Sequence, residues 1–352
     1  MINWSASMRQ TFEYYLVDPV SWTDIQRIDT VQKCSISRDL DTDTLGSSTI
    51  DIDNITEECY IRTYLVVNQN GETAKIPLGT HLIQTPSTNL DINRSTDSLD
   101  GYTPLIELKE KMPPIGYSIL KGENVMDHAC RLVKENTRAR IVKTDNDTKL
   151  EYNFIADTED TWLSFNKELI NCANYHFGLD EMGSILFLPN QDTASLQPIW
   201  TYTDNNMSIL HPGIMCNRDL FGVPNVVEVI YSNGLECFSA RVVNDDPNSP
   251  TSTVRRGREI MYRETNPSFY GQASQAQIND YAARLLKEKS SVEYTITYTH
   301  GYCPVRLGDC IRFNCPSLKL NGVKAKVISQ TIKCEPGCPV SEKAVFTRNL
   351  WG

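Results

Sequence analysis

No apolar run approaches the ~18 residues that a membrane-spanning helix needs, so the 352-residue chain offers no helical span. The opening Met1-Ile2-Asn3-Trp4-Ser5 supplies neither a basic stretch nor an apolar one, which argues against an ordinary signal peptide. Basic residues are in deficit: 34 Lys+Arg stand against 44 Asp+Glu, a formal net charge of -10. Neutralising phosphates needs the opposite balance, so specific nucleic-acid binding is disfavoured. Catalytic signatures are missing as well. The five histidines, His81, His128, His176, His211 and His300, form no H-E-x-x-H or H-x-E pattern. There is no P-loop and no G-x-G-x-x-G, and Gly116-Tyr117-Ser118-Ile119 fails as a nucleophile elbow at the second glycine. Asp145-Asn146-Asp147-Thr148-Lys149 starts like a calcium loop. It then puts Leu150 where glycine is required and Ala156 where the bidentate glutamate belongs. A solvated hairpin tip is the expectation there. These residues point to no enzyme and to no cofactor.

What is present is the composition of a soluble globular protein, 40% hydrophobic and 22% charged. The length exceeds what one core usually organises, so two or three domains are expected. Eleven cysteines, an odd number, read as reduced thiols made in a cytosol and not as a disulfide framework. Cys303, Cys310, Cys315, Cys334 and Cys338 crowd the last part of the chain. A four-thiolate zinc staple would use Cys310, Cys315, Cys334 and Cys338. Neither pair has the C-x2-C knuckle spacing, so thiols filling a small β core are the preferred reading.

Residues 24–100 look all-β. Ser47 to Asp53 alternates, Tyr60 to Val67 is rich in β-branched and aromatic residues, and Asn70-Gly71 marks a hairpin turn before a strand broken by Pro77 and Gly79. Residues 87–117 read as loop, with Pro104 and Pro113-Pro114. Helices are expected over 123–135 and from Asp160 or Thr161 onward, a polar hairpin over 138–154, and a second hairpin over 175–188 turning at Asp180 to Gly183. Past Asn225 the chain turns β again: Val226 to Tyr231, a turn at Ser232-Asn233-Gly234, and a return over 235–243. Ser274 and Gln277 form a capping box for a helix carrying Ile278, Tyr281, Leu285 and Leu286. In Val292 to Thr299, Val292, Tyr294, Ile296 and Tyr298 share one face of a half-buried strand. Strands over 309–313 and 323–333 follow.

The loop Asn244 to Arg258 holds the one basic cluster, Arg255-Arg256-Gly257-Arg258, beside Asp245, Asp246 and Asn248. It reads as a contact for an acidic partner surface or for DNA moving past, or else, as preferred, as solvated surface offset by Glu259 and Glu264. The order of features from Val223 to Val327 resembles the C-terminal half of tail hub, or baseplate hub, proteins of tailed bacteriophages. Those features are Val223-Pro224-Asn225-Val226-Val227, the Asn244 to Ser252 loop, Arg256-Gly257-Arg258, the capped helix with Tyr281 to Leu286, the alternating strand, and Val305 to Phe313. Ile28 to Pro86 resembles the first β domain of the same family. Together the likeness covers about two thirds of the chain.

The resemblance implies an α+β, mainly β fold: two tail-tube-like β-barrel domains separated by mixed α/β insertions. The boundaries would be 1–100 for the first tube-like domain, 101–215 for the insertion and 216–352 for the second with its flanking helix. That helix, 275–289, would cover a sheet edge. The family's hub is a homotrimer whose six barrels continue a hexameric tail tube and leave a channel for DNA and tape measure. Implied partners are the chain itself, a tail tube or distal tail protein ring, the tape measure protein, and a central spike or fibre protein. No membrane is implied. The implied location is the virion tail tip, after synthesis in the host cytoplasm. Interface candidates are Asp245, Asp246, Asn248, Arg255, Arg256 and Arg258 in the loop, and Tyr294 and Tyr298 on a strand whose edge could extend a neighbour's sheet. The cysteine richness departs from the family. No lytic or fibre-like segment follows the last strand, so such activities are expected on separate proteins or further along a longer chain. The rivals are a tail-associated cell-wall hydrolase using a carboxylate pair in the middle region, and a carbohydrate- or receptor-binding module. The second would need an aromatic platform, and Trp4, Trp22, Trp162, Trp200 and Trp351 are widely spread.

Overall fold

The computed structural model describes residues 2–53, 55, 57–84, 96–205, 208–232, 236–265, 267 and 274–349. The protein is α+β and mainly β. It opens with β1 Arg9–Val17, β2 Asp24–Ile28, β3 Lys33–Asp39, β4 Gly46–Asp53, β5 Cys59–Gln69, β6 Glu72–Ile83 and β7 Thr96–Tyr102. The middle mixes α1 Ile106–Lys109, β8 Ser118–Ile119, α2 Val125–Asn136, β9 Phe154–Ile155, α3 Trp162–Asn171, β10 Tyr175–Leu179 and β11 Ile185–Pro189. Next come β12 Trp200–Thr203, β13 Met215–Arg218, β14 Val226–Ser232, β15 Cys237–Val243, α4 Thr253–Arg256, β16 Met261–Thr265 and α5 Gln275–Lys289. The last strands are β17 Ser291–Gly301, β18 Cys310–Cys315, β19 Leu320–Lys333 and β20 Pro339–Asn349. The chain forms two compact units, Met1–Gly213 with Tyr298–Lys343, and Ile214–Thr297 with Ala344–Gly352.

The larger unit is built on antiparallel strands in the order β19-β3-β4-β7-β6-β5-β1-β2. β5 shows why this sequence makes a central strand. Its side chains alternate faces. Ile61, Leu65 and Val67 enter one core with Ile36, Ile50 and Ile83, whereas Tyr60 enters a second core with Trp22, α2 and α3. A strand apolar on both faces must be covered on both. Asn70 and Gly71, both at positive φ (52° and 83°), close the expected two-residue turn between Gln69 and Glu72.

Several expectations need correction. Pro77 and Gly79 do not break β6. A bulge absorbs them, the register passing from Thr63↔Gly79 to Tyr64↔Pro77, and the Leu78 carbonyl so released accepts from Arg38 Nη2 at 2.6 Å. The 87–117 segment is not all loop, since β7 and α1 lie within it, while residues 85–95 fall outside the described set. Residues 138–154 form no hairpin. Their backbone groups find partners at the entrance to α2, with Val125 N–H on Thr148 O at 3.0 Å and Leu150 N–H on Glu123 O at 3.0 Å. The 175–188 hairpin is present as β10 and β11. Thr161 caps α3, and Asn124 caps α2.

In the smaller unit, β14 pairs antiparallel with β15 and parallel with β16. α5 begins at the Ser274–Gln277 capping box. Its Ile278, Ala282, Leu285 and Leu286 pack on Val227, Val229 and Ala240. The helix therefore covers a sheet face and not, as expected, an edge. Its apolar stripe is too wide for an edge to bury. The turn at Asn233-Gly234 lies outside the described residues.

One polar side chain ties the larger unit together. Arg62, on β5, is 1% exposed. It bonds Asp24 Oδ1 at 2.6 Å, Thr80 Oγ1 at 2.9 Å and the Met182 carbonyl at 3.1 Å, joining β2, β6 and the β10–β11 turn. Trp22 Nε1 donates to the same carbonyl at 2.7 Å. Gly183, at φ +79°, allows this approach, because a Cβ there would lie 2.9 Å from Thr80 Cβ. Removing one partner of a buried ion pair costs about 3–5 kcal/mol. Arg62→Ala is therefore expected to lower the urea-unfolding free energy by about that amount, with a loss under 1 kcal/mol contradicting the assignment.

Candidate functional site

The loop proposed as a rim is stapled by its own polar groups. Asn225, fully buried, donates from Nδ2 to Thr251 O at 3.1 Å and to Arg258 O at 3.0 Å, and accepts from Ile260 N–H at 2.7 Å. Asn244, also buried, donates to Ser249 Oγ at 2.9 Å. Asp246 accepts from Asn248 N–H at 2.8 Å. Ser252 caps α4 and Gly257, at φ 61°, ends it. Two of the arginines are occupied: Arg255 Nε donates to Pro247 O at 2.7 Å, and Arg256 donates to Val223 O at 2.7 Å and Leu220 O at 2.8 Å. Asp245, Asn248, Arg255 and Arg258 are exposed, while Asp246 and Arg256 are half-buried. Beside this braced loop Phe221 stands 94% exposed.

Tyr294 and Tyr298 take a different place from the one expected. Both are buried. Tyr294 stacks on Phe346 with centroids 5.0 Å apart and lies under the Arg348 guanidinium. β17 is hydrogen-bonded to β13 from Tyr294 to Thr297 and to β20 on its other edge. Those residues have no free edge to offer a neighbour's strand.

Tyr298 instead belongs to a buried polar cluster that the sequence pattern did not reveal. Its hydroxyl donates to Glu342 Oε2, and Gln330 Nε2 donates to Glu342 Oε1 at 2.5 Å. His300 Nε2 faces Glu342 Oε2 at 3.3 Å and the Tyr202 hydroxyl at 3.1 Å, while Nδ1 meets the Gly301 carbonyl at 2.7 Å. His300 and Glu342 side chains are both 0% exposed. Burial opposes a charge on His300, but hydrogen bonds to Cys303 and Glu342 and the carboxylate's charge outweigh it and hold the imidazole up to about 10. The cluster has no solvent-facing member, so its chemistry is that of an internal ion pair. The only sequence signal was the run of inward residues on β17, which His300 continues.

A second group surrounds a mostly apolar cavity of about 250 Å³, lined by Leu45, Leu78, Phe177 and Leu186 among others. Glu181 lies 2.8 Å from Arg306 and 3.7 Å from Arg38. Asp309 accepts from Arg306 N–H at 2.7 Å. His81, 4% exposed, leaves Nδ1 unpartnered, and burial, with Arg38 nearby, lowers it to about 3. All three carboxylates at this cavity are engaged, the third, Asp180, accepting from Ser184 N–H at 2.6 Å.

The four candidate zinc thiols do not converge. Cys310 and Cys315 leave opposite faces of β18, an odd number of residues apart. Cys310 approaches Thr193 O and Cys315 approaches Tyr202 O, while Cys334 and Cys338 pack in the core with Ile36 and Tyr302. Among the described residues no group of three or more His, Cys, Asp or Glu is placed to hold a metal ion. No described helix is long and apolar enough to cross a membrane.

No family model and no curated protein sequence matches the chain. Solved structures do match it. The tail protein from Neisseria meningitidis MC58 aligns over 97% of this chain and 98% of its own, with a TM-score of 0.59 at 14% identity. The 43 kDa tail protein of the Shewanella oneidensis prophage MuSo2 aligns over 95% and 97%, with a TM-score of 0.60 at 10% identity. A chain of the Francisella PdpA–VgrG complex covers 96% of this chain but only 58% of its own length, with a TM-score of 0.54 at 8% identity. The chain thus has the fold of phage tail proteins, from end to end.

Two outcomes follow from the local geometry. Arg256→Ala frees the Leu220 and Val223 carbonyls, so amide exchange over 219–223 should accelerate at least tenfold, about 1.4 kcal/mol of lost protection, and unchanged exchange would show the loop is braced otherwise. His300 has a folded pKa above its unfolded 6.5, so its contribution is complete below pH 6.5 and is lost as pH rises toward about 10. The gap in urea midpoint between wild type and His300→Gln should narrow over that range. A gap constant with pH would mean that His300 is neutral in the fold.

Proposed function

We propose that this chain is the structural hub of a tailed-phage tail tip or baseplate. What carries the reading is the end-to-end likeness to phage tail proteins, 97% of this chain against 98% of the Neisseria protein. A shared fold alone does not specify a role. The further support is the agreement of that fold with the motif order from Val223 to Val327. The Neisseria and Shewanella structures are tail proteins by description, and the coarse role they favour is structural, not enzymatic.

In this reading residues 1–100 and 216–352 supply the two tube-like β domains and 101–215 the insertion. Three copies close into a ring whose six β domains continue a sixfold tube, and the net charge of -10 suits a channel past which DNA slides. A closed ring requires one surface of each copy to meet a different surface of the next. The stapled loop offers Asp245, Asn248 and Arg258 for such a contact with little left to order on binding. Tail tube or distal tail ring, tape measure, and spike or fibre proteins are the partners, and the virion is the location.

The expected result in mass photometry is a particle of three copies, formed by the chain alone or upon adding the matching tube or spike protein. A species that stays monomeric with every tail component of its phage would refute the hub.

A further inference from the structure

Three thiols from two distant parts of the chain meet in the larger unit. Cys34 lies on β3. Cys334 follows directly on β19, where the ladder pairs Lys333 with Ser35. The next rung is Cys34 opposite Cys334, and the Cys334 N–H donates to the Cys34 carbonyl at 2.9 Å. Opposed residues of a hydrogen-bonded antiparallel pair have Cα atoms about 5.5 Å apart, inside the ~4.4–6.8 Å range that a disulfide spans. Their side chains leave the same face and enter the same core. Tyr14 lines that core beside them, and the Cys34 sulfur lies 4.0 Å from Thr63 Oγ1. Cys338, fully buried, reaches the same place through the turn that its N–H closes on Glu335 O at 2.8 Å. All eleven cysteines are free thiols here.

We propose that Cys34 and Cys334 are a latent disulfide site, closed by exchange with a small disulfide such as oxidised glutathione once the protein leaves a reducing compartment. The proposal does not rest on the tail reading. Cys334 is the partly exposed member and Cys34 the buried one, which sets the order of events. The Cys334 thiolate attacks one sulfur of oxidised glutathione, forming a mixed disulfide and expelling a glutathione thiolate. The Cys34 thiolate then attacks the Cys334 sulfur, forming the protein disulfide and expelling the second glutathione. Two electrons pass to glutathione, and the two cysteine protons end on the two released thiols. The link would close a loop of about 300 residues, a long crosslink of the kind that most restricts an unfolded chain. The neighbouring Cys34 thiol, and burial after it, hold the Cys334 thiol well above its usual value, so exchange is slow near neutrality.

The test uses the full chain, purified under reductant and then incubated with oxidised glutathione at mildly alkaline pH. Free thiols are alkylated in denaturant and the digest is read by mass spectrometry. The expected product is a peptide pair joining Cys34 to Cys334, about 2 Da lighter than its two thiol parts, with a thermal midpoint several degrees above that of the reduced protein. Cys34→Ala and Cys334→Ala each abolish the pair and the shift, whereas Cys338→Ala keeps both. Alkylation of both Cys34 and Cys334 after oxidation overturns the proposal, as does a link from either to Cys338.

Discussion

A guanidinium withdrawn from water must find its hydrogen-bond acceptors inside the protein, and Arg62 finds them on separate pieces of chain. Asp24 comes from β2, Thr80 from β6, and the Met182 carbonyl from the turn of the middle hairpin. Each acceptor is also held elsewhere: Thr80 Oγ1 donates to Glu181 O, Trp22 Nε1 shares the Met182 carbonyl, and Asp24 accepts from the Tyr64 hydroxyl. Shifting any one element leaves a buried charge short of partners. The apolar core of the larger unit would tolerate several placements of the β10–β11 hairpin on the sheet. The arginine tolerates one.

The same economy appears twice more. His300 and Glu342 form an ion pair sealed inside the unit, with Tyr298, Gln330 and Tyr202 saturating it. Asn225 and Asn244 organise the 244–258 loop from beneath. In all three places a few fully satisfied polar groups fix geometry that hydrophobic burial leaves free. An exposed loop with a polar skeleton keeps its shape without a partner, as a protein that assembles with others requires.

What the sequence disclosed was local. Asn70-Gly71, the Ser274–Gln277 box and the alternation from Val292 to Tyr298 each depend on residues within a few positions of one another, and each is found where expected. What it hid depends on distant partners. β3 is a polar stretch that becomes a strand between β4 and β19, and Pro77 is accommodated because Arg38 takes up the carbonyl its bulge releases. Arg62 reads in sequence as one charge in an apolar run. Tyr298 reads in sequence as an interface residue on a strand edge, whereas its side chain is buried and its hydroxyl donates to Glu342. The separation of Cys310 and Cys315 becomes decisive only once the strand is known to run unbroken through both, which puts them on opposite faces.

The pairing of β3 with β19 has a kinetic side. A strand near residue 35 stays unpaired on that edge until a segment near residue 333 has left the ribosome. For most of its synthesis the nascent chain therefore exposes a polar, incompletely zipped sheet margin, a point where copies emerging side by side from one message could cross-pair. Such a topology also places closure late and slows it, since the widest loop must be drawn shut before its contacts reward the cost.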